Sequence, residues 1–101
     1  MKYMFDWGSG VCLWSTNEAS VKKYDYSVET SVLPISDRLN ERLESLIEKH
    51  DEALNWQEPQ GELLWSKEQE QGFIEEAHQA YEEVVRELGP DEDVLERVLA
   101  Y

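Results

Sequence analysis

Tyr3, Phe5 and Trp7 alternate with Lys2, Met4 and Asp6. That period of two is the pattern of a strand with one face buried. Gly8-Ser9-Gly10 follows, where positive φ costs little and the chain can reverse tightly. Val11, Cys12, Leu13 and Trp14 then form a short β-prone return, so the opening predicts a β-hairpin. Asn17 is placed to cap a short helical turn over Glu18 to Lys23. Tyr24 to Leu33, rich in Tyr, Val, Thr and Ser, reads as extended or irregular, with room for one more strand. Pro34 holds Leu33 in extended geometry and closes the segment.

The period then changes. Leu39, Leu43, Leu46, Ile47, His50, Ala53 and Leu54 recur at helical spacing behind Ser36 or Asp37 as cap. Arg38, Glu41, Arg42, Glu44, Glu48, Lys49 and Glu52 fall on the other face, a mixed and largely neutralised one. Asn55 to Trp65 is a loop broken by Pro59 and Gly61, and Trp56, Leu63, Leu64 and Trp65 are expected to close one end of the core. Ser66 with Gln69 predicts a capping box for a second long helix, with Glu68 favourably placed in its first turn. Phe73, Ile74, Ala77, Ala80, Tyr81, Val84, Val85 and Leu88 line one side, and Gly89-Pro90 ends it. Residues 91–101, with Val94, Leu95, Val98 and Leu99, fit either a short helix or an edge strand beside the hairpin. The expected fold is α+β: an antiparallel hairpin or small sheet packed on two long amphipathic helices, in a single domain over 1–101.

Charge changes the picture most. The net charge is -14, and residues 51–101 carry -12 of it. So few Lys and Arg argue against direct nucleic-acid binding and against an anionic membrane surface. A basic protein surface is the natural complement. Cys12 is the only cysteine, so no intramolecular disulfide forms and no oxidising compartment is needed. The N-terminal residues lack a signal-peptide pattern, and no run approaches the ~20 apolar residues of a membrane span. The expectation is a cytoplasmic chain.

Projected around its axis, the second helix gathers Glu68, Glu75, Glu76, Glu82, Glu83 and Glu87 on a broad face opposite the apolar stripe, interrupted by Arg86. Like charges three and four residues apart repel, so the cluster works against helix stability. Asp91, Glu92 and Asp93 extend it past the helix end. Glu68, Glu75, Glu76, Glu82, Glu83, Asp91, Glu92 and Asp93 are therefore the candidate partner-binding residues; the plainer reading is a solvated face. Catalysis finds little support. His50 lies in an apolar stripe, His78 has no nucleophile set by spacing, and Cys12 has nothing beside it to lower its pKa. No zinc spacing, phosphate loop or dinucleotide fingerprint occurs, and Asp91-Glu92-Asp93 lacks the calcium-loop pattern. Neither an enzyme nor a cofactor is expected.

The opening Met1-Lys2-Tyr3-Met4-Phe5-Asp6-Trp7-Gly8-Ser9-Gly10-Val11-Cys12-Leu13-Trp14-Ser15 resembles a group of small acidic bacterial proteins, as do Leu54-Asn55-Trp56 and Pro59 before Trp65-Ser66. In size and layout they are similar to the immunity proteins of polymorphic and contact-dependent growth inhibition toxin systems. The resemblance spans most of the chain and rests on structural motifs. It implies a cytoplasmic inhibitor of its own system's toxin domain, commonly a nuclease or other RNA-directed enzyme, with the acidic half facing a basic toxin. Two other classes stay open: an acidic adaptor or nucleic-acid mimic with no toxin partner, and a small enzyme using two carboxylates.

Overall fold

The computed structural model describes residues 1–58, 61, 63–89 and 94–96. Strands β1 (Lys2–Tyr3), β2 (Leu13–Trp14) and β3 (Ser27–Val28) pair antiparallel. Strand β4 (Leu95–Glu96) joins the free side of β1 in parallel, giving the order β3-β2-β1-β4. Tyr3 pairs with Leu13 and Leu13 with Val28, so the three form one row across the sheet. All three are fully buried. Lys2, Trp14 and Ser27 form the neighbouring row on the opposite face, as a period of two requires. The ladder runs past the short strands: the Met4 amide donates to the Cys12 carbonyl at 2.9 Å and the Ser15 amide to the Tyr26 carbonyl at 2.9 Å.

Between β2 and β3 lies α1 (Glu18–Tyr24), capped by the Asn17 side chain and burying no residue of its own. A 3-10 turn (Thr30–Val32) leads to α2 (Asp37–Ala53), which Ser36 caps by accepting from the Leu39 amide. The loop returns to α3 (Lys67–Leu88), opened by the reciprocal Ser66–Gln69 capping box and closed by Gly89 at φ 77°. Both long helices lie on the buried face of the sheet. The Tyr3 hydroxyl donates to the Ala77 carbonyl at 3.0 Å, and Phe5 meets Phe73 edge-on at 5.2 Å. Leu39, Leu43, Leu46 and Ile47 of α2 and Phe73, Ala77, Ala80 and Val84 of α3 complete the core.

The small sheet on two amphipathic helices is thus the observed architecture, with three refinements. The edge strand is the alternative realised at Leu95–Glu96, beside β1, while Pro90 to Asp93 and residues 97–101 lie outside the described residues. The loop apolar residues do not all close the core: Trp65 packs against it, but Trp56 and Leu64 are exposed. Val85 is exposed as well, because Ala77, Ala80 and Val84 set the buried centre of α3 and Val85 falls a further 100° round.

Candidate partner-binding surface

The seam between α2 and α3 decides which charges reach solvent. Arg42 Nη1 lies 2.9 Å from Glu83 Oε1, and Arg38 Nη2 reaches the same oxygen at 3.3 Å. Arg42 also donates to Gln79 at 3.3 Å, and Lys49 Nζ stands 3.1 Å from Glu76 Oε2. At the far end Glu87 accepts from the Ser36 amide at 2.6 Å and the Ser36 hydroxyl at 3.1 Å, clasping the α2 N-terminus. A carboxylate suits that end of a helix, where free N–H groups concentrate positive potential.

The predicted acidic face therefore divides. Glu76 and Glu83 sit half-buried along the seam, paired with α2, and Glu87 is tied to Ser36. Glu68, Glu75 and Glu82 point to solvent together, with His78 Nε2 2.8 Å from Glu82 Oε1. Asp91, Glu92 and Asp93 lie outside the described residues.

The same seam changes the expectation for α2. Its Arg38, Arg42 and Lys49 do not neutralise the outer face; all three turn to α3. Asp37, Glu41, Glu44, Glu48 and Glu52 are left exposed, an acidic stripe at spacings of three and four. Sequence reasoning missed it by treating all polar residues of α2 as one face. A projection at about 100° per residue separates the cations on one flank from the acids behind them.

A second feature stands at the loop end of the helix pair. The Trp56 indole N–H donates to the Asp51 carbonyl at 3.0 Å. The Gly8 amide donates to Asp51 Oδ1 at 3.0 Å, and a Cβ on Gly8 would meet the Trp56 ring at 3.4 Å. Beneath them the Trp7 indole donates to the His50 carbonyl at 2.7 Å and its ring stacks on His50 at 4.5 Å.

The remaining reactive groups are placed as follows. Cys12 is fully buried, and burial pushes its thiol up to about 12. His50 is buried among Trp7, Phe5 and Phe73. Desolvation lowers its pKa, against the pull of Asp51 and Asp6. Among the described residues no group of three or more His, Cys, Asp or Glu is arranged to hold a metal ion, and no helix is long and apolar enough to cross a membrane.

This is a small α+β protein whose most distinctive surface is a field of acidic charge beside the exposed Trp56. A family model described as Serratia CdiI immunity protein-like matches residues 1–95, and the chain belongs to that family. A comparison with curated proteins gives no match.

Proposed function

We propose that this chain is an immunity protein that binds and neutralises a basic toxin domain, a nuclease or other RNA-directed enzyme, through the acidic outer faces of α2 and α3. It acts by binding and not by catalysis. Membership of an immunity family supports the role. The observation that carries the surface is the seam: Arg38, Arg42 and Lys49 are engaged with α3, so the solvent face of α2 stays acidic, and that of α3 is acidic on balance around its exposed Lys67 and Arg86. Enzymes that handle RNA need cationic surfaces to meet phosphates. An acidic wall complements such a surface and can raise association rates by roughly 10 to 10³-fold.

The test separates outward acids from seam acids. Glu41, Glu44 and Glu48 of α2 and Glu68, Glu75 and Glu82 of α3 are reversed to Lys, leaving Glu76, Glu83 and Glu87 in place. Association with the toxin domain encoded beside this chain's gene is followed by stopped flow from about 50 to about 500 mM salt. The reversed protein should associate at least about 10-fold more slowly at low salt and show a flatter salt dependence. If neither changes, the acidic faces serve solubility alone. Cys12→Ser and His78→Gln should leave protection of a toxin-expressing cell intact. Loss of protection in a folded His78→Gln protein that still binds would argue for catalysis.

A further inference from the structure

Long-range charge speeds encounter, but short-range apolar contact holds a complex together. The acidic faces supply the first; the loop end is built for the second. Trp56 is 56% exposed and Leu64 is 62% exposed, each beside chain that is fastened down. The Leu64 amide donates to the Ala53 carbonyl at 2.7 Å, which pins the outgoing loop to the end of α2.

Trp56 is unusually fixed for so exposed a side chain. Its N–H is already bonded to the Asp51 carbonyl, so the free part of the indole is apolar. The outer edge of its six-membered ring lies against Gly8, whose φ of +78° admits few other residues. Gly8 is held by its own amide on Asp51 Oδ1. A ring immobilised before contact loses little rotamer entropy on binding, the property that makes preorganised aromatics strong anchors. Folding alone does not require this ring to remain bare: Trp65 of the same loop packs on Phe73 and the core.

The surroundings indicate the partner. Asp51, half-buried, bonds both Gly8 and Trp56, and Asp6, Glu52 and Glu58, one or two residues along the chain from Trp7, Asp51 and Trp56, are exposed. Among the described residues Lys49, on the same end of α2, is committed to Glu76. An apolar centre with a carboxylate rim fits an apolar pocket set among Lys and Arg.

We infer that Trp56, seated on Gly8, is the apolar anchor of the interface with the basic toxin domain, and that it governs how long the complex lasts. This rests on the immunity reading above. The outer helix faces set the on-rate; Trp56 sets the off-rate.

The experiment measures both rates for the full chain against the toxin domain encoded beside its gene. Trp56→Ala should raise the off-rate about 30-fold or more while the on-rate stays within about threefold. The charge-reversed protein should show the opposite split. Hydroxyl-radical footprinting of the wild-type complex needs no variant: Trp56 should be strongly protected relative to the free chain. Trp56 labelled equally in free chain and complex overturns the proposal, as does an unchanged off-rate in a folded Trp56→Ala protein. If Trp56→Ala fails to fold, the footprint decides. A wild-type chain that does not bind the toxin domain overturns both the immunity reading and the anchor; one that binds through other residues overturns the anchor alone.

Discussion

Arg42 and Glu83 meet at 2.9 Å across the α2–α3 seam, with 24% and 20% of their side chains exposed. Glu83 receives Arg38 on the same oxygen, but the Arg38 side chain is 82% exposed. The two arginines therefore differ in worth. An exposed pair contributes about 0–1 kcal/mol because water screens it and long side chains must be ordered. Removing one member of a partly buried pair leaves the other charge poorly solvated. Glu83 Oε2 is buried without a hydrogen-bond partner, which makes its carboxylate more dependent on the Arg42 contact. Arg42→Ala should lower unfolding free energy by about 1 kcal/mol or somewhat more, and Arg38→Ala by a few tenths at most. Urea titrations of both variants, closed into a double-mutant cycle with Glu83→Ala, measure the difference. Equal costs would place the two arginines in equivalent surroundings.

Salt should act on the two sets of charges in opposite directions. The outer face of α2 holds carboxylates at spacings of three and four, and that of α3 is mostly acidic, in a chain of net charge -14. Their repulsion opposes folding and is screened over a Debye length of about 8 Å at physiological ionic strength. The seam pairs favour folding, and burial screens Arg42–Glu83 from salt. The outer repulsion should win, so the melting temperature rises by a few degrees between about 20 and about 300 mM sodium chloride. Differential scanning fluorimetry reads it directly. A falling melting temperature would mean that the ion pairs dominate.

Where chain geometry alone determines structure, the sequence was informative. The alternation of Tyr3, Phe5 and Trp7, the caps at Asn17, Ser36 and Ser66, and the stop at Gly89 all act within a few residues of themselves. Residues carrying the resemblance, including Trp56, also pointed to the immunity family. Tertiary pairing was not legible. Glu76, Glu82 and Glu83 share a helix and a charge, and only the position of α2 decides that two of them face cations and the third faces water. The acidic stripe of α2 stayed hidden for the same reason. Trp56 was misplaced by the rule that large apolar residues seek burial. That rule is one-way, and the seat on Gly8 depends on a contact across 48 positions of sequence.

His50 supplies a pH dependence whose sign follows from its surroundings. The imidazole is buried, stacked on Trp7 and close to Phe5 and Phe73. Desolvation lowers its pKa below the ordinary 6.5, and the nearby charges of Asp51 and Asp6 only partly oppose this. Well above pH 6.5 the ring is neutral in both folded and unfolded chain, and its contribution to stability is constant. As pH falls below 6.5 the unfolded chain takes up a proton that the folded one refuses, so stability declines. The decline levels off once pH passes below the folded pKa. Aspartate and glutamate titrate mostly near pH 4, so a window from about pH 7 to about pH 5 isolates much of the histidine contribution. His50→Phe keeps an aromatic ring between Trp7 and Phe73 but cannot titrate. Urea unfolding across that window should show stability falling with acidity in the wild type and a shallower slope in His50→Phe. His78→Gln, altered at an exposed ring beside Glu82, is the comparison that separates buried from exposed histidine. A slope that survives unchanged in His50→Phe would place the titrating group elsewhere.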